Sequence, residues 1–176
     1  IFAVAAGTSY HAALATRYWF SLFGMRDLRV IVASEFPYFR RLVTPRSVVL
    51  AISQSGETAD VLEAVRAAKS RGAKVLSVIN VVGSTLMRLS DVFLTINAGP
   101  EICVVATKTY TSQLAILGLL SSKLSNRYVR AKRELVDVAK KVKVFLEDEE
   151  RLASIRRLAK TLKDKQHIFL IGRGIN

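Results

Sequence analysis

The chain has 176 residues, 51% of them hydrophobic and 23% charged, with 3 prolines and 9 glycines, which excludes a disordered, collagen-like or low-complexity protein. That length suffices for one domain with a true core, or for one domain and part of another. The formal net charge is +13, and a single cysteine, Cys103, excludes a disulfide framework and a cysteine-based zinc site.

In chain order, Ile1–Ala6 reads as a short buried strand, followed by Gly7-Thr8-Ser9 and a helical pattern over Ser9–Phe23. Leu28–Ala33 is the second strand and Val48–Ser53 the third, with a helix over Thr58–Arg71 behind it. Lys74–Asn80 is the fourth strand, Thr85–Leu89 a short helix and Val92–Asn97 the fifth strand. These runs are rich in Val and Ile and nearly continuous in hydrophobicity, as strands of a parallel sheet covered on both faces must be. Alternation of such strands with helices predicts right-handed crossovers and a three-layer α/β/α sandwich.

After Asn97 the pattern turns helical, over Lys108–Ser125, Arg130–Asp148 and Glu150–Leu162. The tail Ile168–Gly174 repeats the opening pattern, an apolar run ending in a glycine loop. It reads either as the first strand of a second unit or as an added edge strand of the first sheet. The first reading divides the chain into an α/β domain over 1–126, a helical connector over 127–165 and the start of a truncated second domain over 166–176. A strand at residue 1 without an initiating methionine and another at the very end then suggest a fragment of a longer protein.

No apolar run approaches the roughly 18 residues of a membrane-spanning helix. No basic segment precedes the first apolar stretch, so no secretory signal is read there. The expectation is a soluble cytoplasmic protein without a membrane partner. Positive charge is densest over residues 123–165, which hold 14 basic and 7 acidic side chains. Nucleic-acid binding is one reading of that surplus. The other is a solvated helix surface with pairs such as Asp137–Lys141 and Glu147–Arg151 at i,i+4 spacing. Without interleaved aromatics or a recognition helix, the solvated surface is preferred and nucleic acid is not an expected partner.

The chemistry concentrates where strands run into helices. Ser53-Gln54-Ser55-Gly56-Glu57-Thr58 joins the third strand to its helix, where free N–H groups and the positive helix end face outward. Three hydroxyls and an amide supply further donors, and Gly56 lets a ligand approach the backbone. This suits a phosphate monoester held by neutral donors; the Gly-Lys-Ser/Thr of a Walker A loop is absent. The plainer alternative is a serine-capped helix start. Gly7-Thr8-Ser9 ends the first strand in the same manner, so the two loops converge if those strands are neighbours.

A third loop, Asn97 to Lys108, can line the sugar side of such a pocket with its backbone around Val104–Ala106; Glu101 and Lys108 are either polar contacts there or structural, and the structural reading is preferred. His11, Tyr18 and Trp19 read as packing residues, and Cys103 as a structural thiol. No histidines or carboxylates have metal-ligand spacing, so no metal or other cofactor is expected.

Taken together, Gly7-Thr8-Ser9-Tyr10, Ala33-Ser34-Glu35-Phe36, Ile52 through Asp60, and Asn97-Ala98-Gly99-Pro100-Glu101 through Thr107-Lys108 resemble one family. They are similar to the isomerase part of the glutamine–fructose-6-phosphate aminotransferases, or glucosamine-6-phosphate synthases, which carries two sugar isomerase (SIS) domains behind a glutaminase domain. The resemblance implies a flavodoxin-like five-stranded parallel sheet and a homodimer. It implies that Ser9, Ser53, Gln54, Ser55 and Thr58 bind the sugar phosphate, while Thr8 and Val104 contact the sugar. The family makes glucosamine-6-phosphate from fructose-6-phosphate and glutamine-derived ammonia. Its ring-opening lysine and its acid–base Glu and His lie in the second SIS domain. The resemblance therefore implies that this chain binds substrate without turning it over, and it supplies no catalytic residue. Ala6 stands where the family commonly has a cysteine. Two alternatives remain: an SIS-domain sugar-phosphate isomerase or amino-sugar-phosphate deaminase lacking a glutaminase, and a sugar-phosphate-sensing regulator.

Overall fold

Five of the apolar runs become strands. In the computed structural model, which describes residues 1–102, 106–172 and 174, these are β1 (Phe2–Ala5), β2 (Arg29–Val32), β3 (Val48–Ser53), β4 (Lys74–Ile79) and β5 (Val92–Thr95). They form one wholly parallel sheet in the order β2-β1-β3-β4-β5, with Ala5 level with Ile52 across the central pair. The chain winds outward from β1 to β2, then returns past β1 to β3. Winding therefore reverses between β1 and β3, where an open α/β sheet leaves a crevice beyond its carboxyl ends.

Alternate side chains on each strand supply the two halves of the core. Ala3, Ala5, Leu50, Ile52 and Val78 face α1 (Gly7–Leu22) and α5 (Lys108–Lys123), packing with Phe20 and Leu117. Val4, Val49, Ala51, Val75 and Ile79 face α3 (Ala59–Ser70), with Phe36, Val61, Val65 and Leu86. Each of the large buried side chains contributes roughly 1.5–3 kcal/mol by leaving water. Leu86 comes from α4 (Thr85–Leu89) and Phe36 from α2 (Phe36–Phe39). The sandwich is thus three layers deep, as the strand–helix alternation predicted.

The differences from the sequence reading are local. Ala33, read as the end of the second strand, instead opens a 3-10 turn, and residues 34–42, given no element above, complete two such turns flanking α2, burying Phe36 and, just after them, Val43. Elements of three and four residues are too short to carry a helical period. The fifth strand ends at Thr95 rather than Asn97, because Asn97 adopts φ +48°, outside any strand conformation. Helix α1 begins at Gly7, two residues early, so Thr8 and Ser9 occupy its first turn. Tyr18 and His11 were read as packing residues and are instead exposed, with Trp19 half-buried. They lie on the flanks of α1, whose buried stripe is Ser9, Ala12, Ala13, Thr16 and Phe20.

The chain divides into two compact units, Ile1–Tyr128 and Val129–Asn176. Helices α6 (Tyr128–Glu147) and α7 (Glu149–Leu162) make up most of the second. Asp148 caps α7, its Oδ1 accepting from the Arg151 N–H at 3.1 Å. The charged surface pairs as Arg130–Glu134, Asp137–Lys140, Lys143–Glu147 and Asp148–Arg151. Two sequence-read partners therefore change: Asp137 takes Lys140 instead of Lys141, and Arg151 takes the capping Asp148 instead of Glu147. Residues 168–172 form no strand, and Ile171 is 98% exposed, since a strand needs an edge to pair with. Among the described residues no helix is long and apolar enough to cross a membrane.

Candidate functional site

The turn after β3 is shaped by one glycine. Gly56 has φ +68°, and a Cβ built on it would collide with the Oγ and Cβ of Ser84, so any side chain is excluded twice over. Its N–H donates to Ser53 Oγ at 3.1 Å, and its carbonyl accepts from Leu86 N at 3.0 Å. Ser55 Oγ accepts from Glu57 N at 3.2 Å.

Thr58 is the N-cap residue of α3, yet its hydroxyl lies 3.0 Å from Ser53 Oγ and makes no capping bond. The first N–H groups of α3 therefore have no side-chain acceptor from the cap, and the positive end of the helix stays open beside the turn. The capped-helix alternative is not what this loop builds. Glu57 fastens the turn to α4, its Oε1 accepting from Thr85 N at 2.7 Å. That backbone bond first, then the Thr85 hydroxyl and the nearby Arg88, hold the Glu57 carboxyl below the usual 4.5.

Two further loops meet this turn. At the end of β1, Gly7 adopts φ +54° and turns the chain directly into α1. Ser9 is buried there, and Gln113 of α5 donates its Nε2 to Ser9 Oγ at 2.9 Å. After β5, Glu101 Oε2 accepts from the N–H groups of Thr107 and Thr109, each at 3.2 Å, and from Thr109 Oγ1 at 2.8 Å. The Thr109 hydroxyl first, then its N–H, hold this carboxyl below the usual 4.5. Glu101 thus anchors the start of α5, the structural role read for it. Asn80, at the end of β4, links the loops: its N–H donates to Gln54 O at 3.1 Å, its Nδ2 to Gly99 O at 2.7 Å, and its Oδ1 accepts from Ala98 N at 2.9 Å.

The three loops enclose a cleft of about 370 Å³ at the reversal between β1 and β3, a volume within the range of small-molecule sites. Thr8 and Ser9 form one wall; Ser53, Gln54, Ser55 and Thr58 form the opposite one. All six described residues of the sequence-read site therefore converge. The seventh, Val104, lies outside the described residues, as does Cys103; Ala106, two residues after Val104, lines the cleft.

Glu101 is the one titratable side chain lining the cleft among the described residues, and Lys108 does not reach it. Besides that carboxylate and the apolar Ala6, Ile52 and Ala106, the lining is hydroxyls, the Gln54 amide and open backbone, neutral donors suited to an oxyanion. Gln113 and Asn80 were not singled out from sequence. The available signal for Gln113 was an amide four residues after Thr109 and four before Leu117, within the buried stripe of α5.

Comparison with known proteins gives a consistent picture. The family model described as SIS domain matches residues 1–123. Among curated proteins, the chain is 48% identical over 98% of its length to a glutamine–fructose-6-phosphate aminotransferase (isomerizing) of Thermococcus kodakarensis. It is 46% identical over 97% of its length to the enzyme so named in Thermotoga maritima. It spans about 30% of the length of these relatives. Among solved structures, it is similar to the C-terminal domain of the glucosamine-fructose-6-phosphate aminotransferase of Francisella tularensis. That match has a TM-score of 0.84 at 34% identity, covering 99% of this chain and 51% of that one. A glucosamine-6-phosphate deaminase of Thermotoga maritima matches with a TM-score of 0.68 at 27% identity, over 77% of this chain and 43% of the other.

Proposed function

The chain belongs to the SIS domain family, and from this we propose that its cleft binds a sugar phosphate, the phosphoryl group seated on the turn after β3. Ser55 donates its hydroxyl, the Ser53–Thr58 pair the one proton its mutual hydrogen bond leaves free, Gln54 an amide, and the first turn of α3 its free N–H groups. Ser9 donates from the facing wall, and Thr8 and Val104 meet the sugar. The observation that carries this reading is the Thr58 hydroxyl, turned from its helix toward Ser53 on the cleft wall.

Fructose-6-phosphate is the substrate of choice, because the relatives at 46–48% identity bear the aminotransferase name. Within such an enzyme this chain grips and orients substrate, and binding energy spent on the phosphate lowers the barrier elsewhere in the molecule. The chain alone binds without turnover. General acid–base catalysis needs a proton donor and acceptor near the sugar, and Glu101 has one carboxylate oxygen committed to three donors. On this reading residues 1–126 are the first SIS domain, 127–165 its connector and 166–176 the opening of a second, in a homodimeric cytoplasmic enzyme.

An amino-sugar-phosphate deaminase is the second reading, favoured by the structural likeness at 27% identity. The higher identity to the aminotransferases weighs against it.

Calorimetric titration with fructose-6-phosphate, free fructose and inorganic phosphate tests the proposal. The phosphorylated sugar is expected to bind best, and a Ser55→Ala, Thr58→Ala double variant to bind it at least about tenfold more weakly. Equal binding of free fructose, or an unaffected double variant, would refute it.

A further inference from the structure

Gln113 is 1% exposed, and its side chain is only half satisfied. Its Nε2 donates to Ser9 Oγ at 2.9 Å, whereas its Oε1 has no hydrogen-bond partner among the described residues. A buried acceptor without a donor is unfavourable, and native structures keep few of them. Turning the amide over would let Oε1 accept the Ser9 proton but would leave an NH2 group with no acceptor, the more costly orphan. The amide therefore donates, and Ser9 accepts.

That direction decides what the Ser9 proton does. A serine or threonine hydroxyl inside a helix ordinarily donates to the carbonyl one turn back. Thr16 of the same helix does so, its Oγ1 donating to Ala12 O at 2.7 Å. Ser9 makes no such bond among the described residues, and it lines the cleft. Its oxygen is occupied from behind and its proton is left for an acceptor in front.

We infer that Gln113 is a positioning residue: by donating to Ser9 Oγ it makes Ser9 a hydrogen-bond donor toward an oxyanion in the cleft. The inference rests on the sugar-phosphate reading above and adds to it the source of donor polarity on the α1 wall.

The test is a double-mutant cycle on the 176-residue chain, read by calorimetric titration with fructose-6-phosphate and by thermal melting. Gln113→Leu, which keeps the apolar bulk, is expected to weaken binding about tenfold while leaving the melting temperature unchanged or raised, since an orphan acceptor is removed. Ser9→Ala should weaken binding similarly, and adding Gln113→Leu to it should cost nothing more. A packing role would lower affinity in both backgrounds and would lower the melting temperature. Should the Leu variant misfold, Gln113→Met carries the same expectation. Full affinity in a folded Gln113 variant, or losses that add, overturns this inference and leaves the sugar-phosphate reading standing. A folded wild-type chain that binds no sugar phosphate overturns both.

Discussion

Thr58 and Gly56 show how single residues set the site. The Thr58 hydroxyl turns to Ser53 and leaves the helix end open, while Gly56 gives the turn a conformation no other residue holds cheaply. Gly56→Ala is expected to destabilise the chain by about 2 kcal/mol or more, from a left-handed φ and a clash with Ser84. A urea unfolding midpoint equal to that of the wild type would contradict this. The hydroxyl residues were legible in the sequence because their spacing between a strand and a helix is local. Gln113 was not, because its partner Ser9 lies 104 residues away and only the packing of α5 on α1 makes them neighbours. Asn80 was equally silent: an asparagine ending a strand looks like any turn residue until two other loops close on it.

Among elements, three carboxylates fasten the ends of the layers together. Glu57 ties the β3 turn to α4, and Glu101 anchors α5. Asp91 holds β4, its Oδ2 accepting from Val75 N at 2.8 Å and its charge facing Lys69 and Lys74. The Val75 N–H first, then the Lys74 side chain, draw the Asp91 carboxyl below its usual 3.8, as Glu57 and Glu101 are drawn below 4.5.

A carboxyl depressed in the folded state stabilises fully above its unfolded pKa and loses that contribution as pH falls through its folded value. Stability should therefore be level near neutrality and decline below about pH 4.5. Glu101→Gln should start less stable and decline less steeply in acid. Urea midpoints measured across this range check both, and an acid decline as steep as the wild type's would remove Glu101 from the explanation. Long helices were legible at this scale because each spans several turns of its pattern, and the strands because each is a nearly unbroken apolar run between turn residues. The turns over 33–42 were not, since Phe36 and Val43 are buried by tertiary contact and carry no period of their own.

For the whole molecule, the α/β layers lie within Ile1–Tyr128, with their own core. A chain shortened to residues 1–128 is expected to unfold cooperatively with a midpoint close to that of the full chain. Limited proteolysis of the full chain should cut first near residues 168–172, which are exposed and make no strand. A shortened chain that fails to fold would show that the layers depend on the helices after them.

The basic helices α6 and α7 offer the phosphate a second destination, and their exposed ion pairs are each worth little in stability. The decisive measurement is therefore one of place: backbone-amide NMR of the isotope-labelled chain, titrated with fructose-6-phosphate and with free fructose. The largest shifts should fall on residues 53–59 with Thr8 and Ser9, and be absent with the unphosphorylated sugar. Shifts confined to α6 and α7 would mean that the ligand meets only a charged surface and that the cleft is not its site.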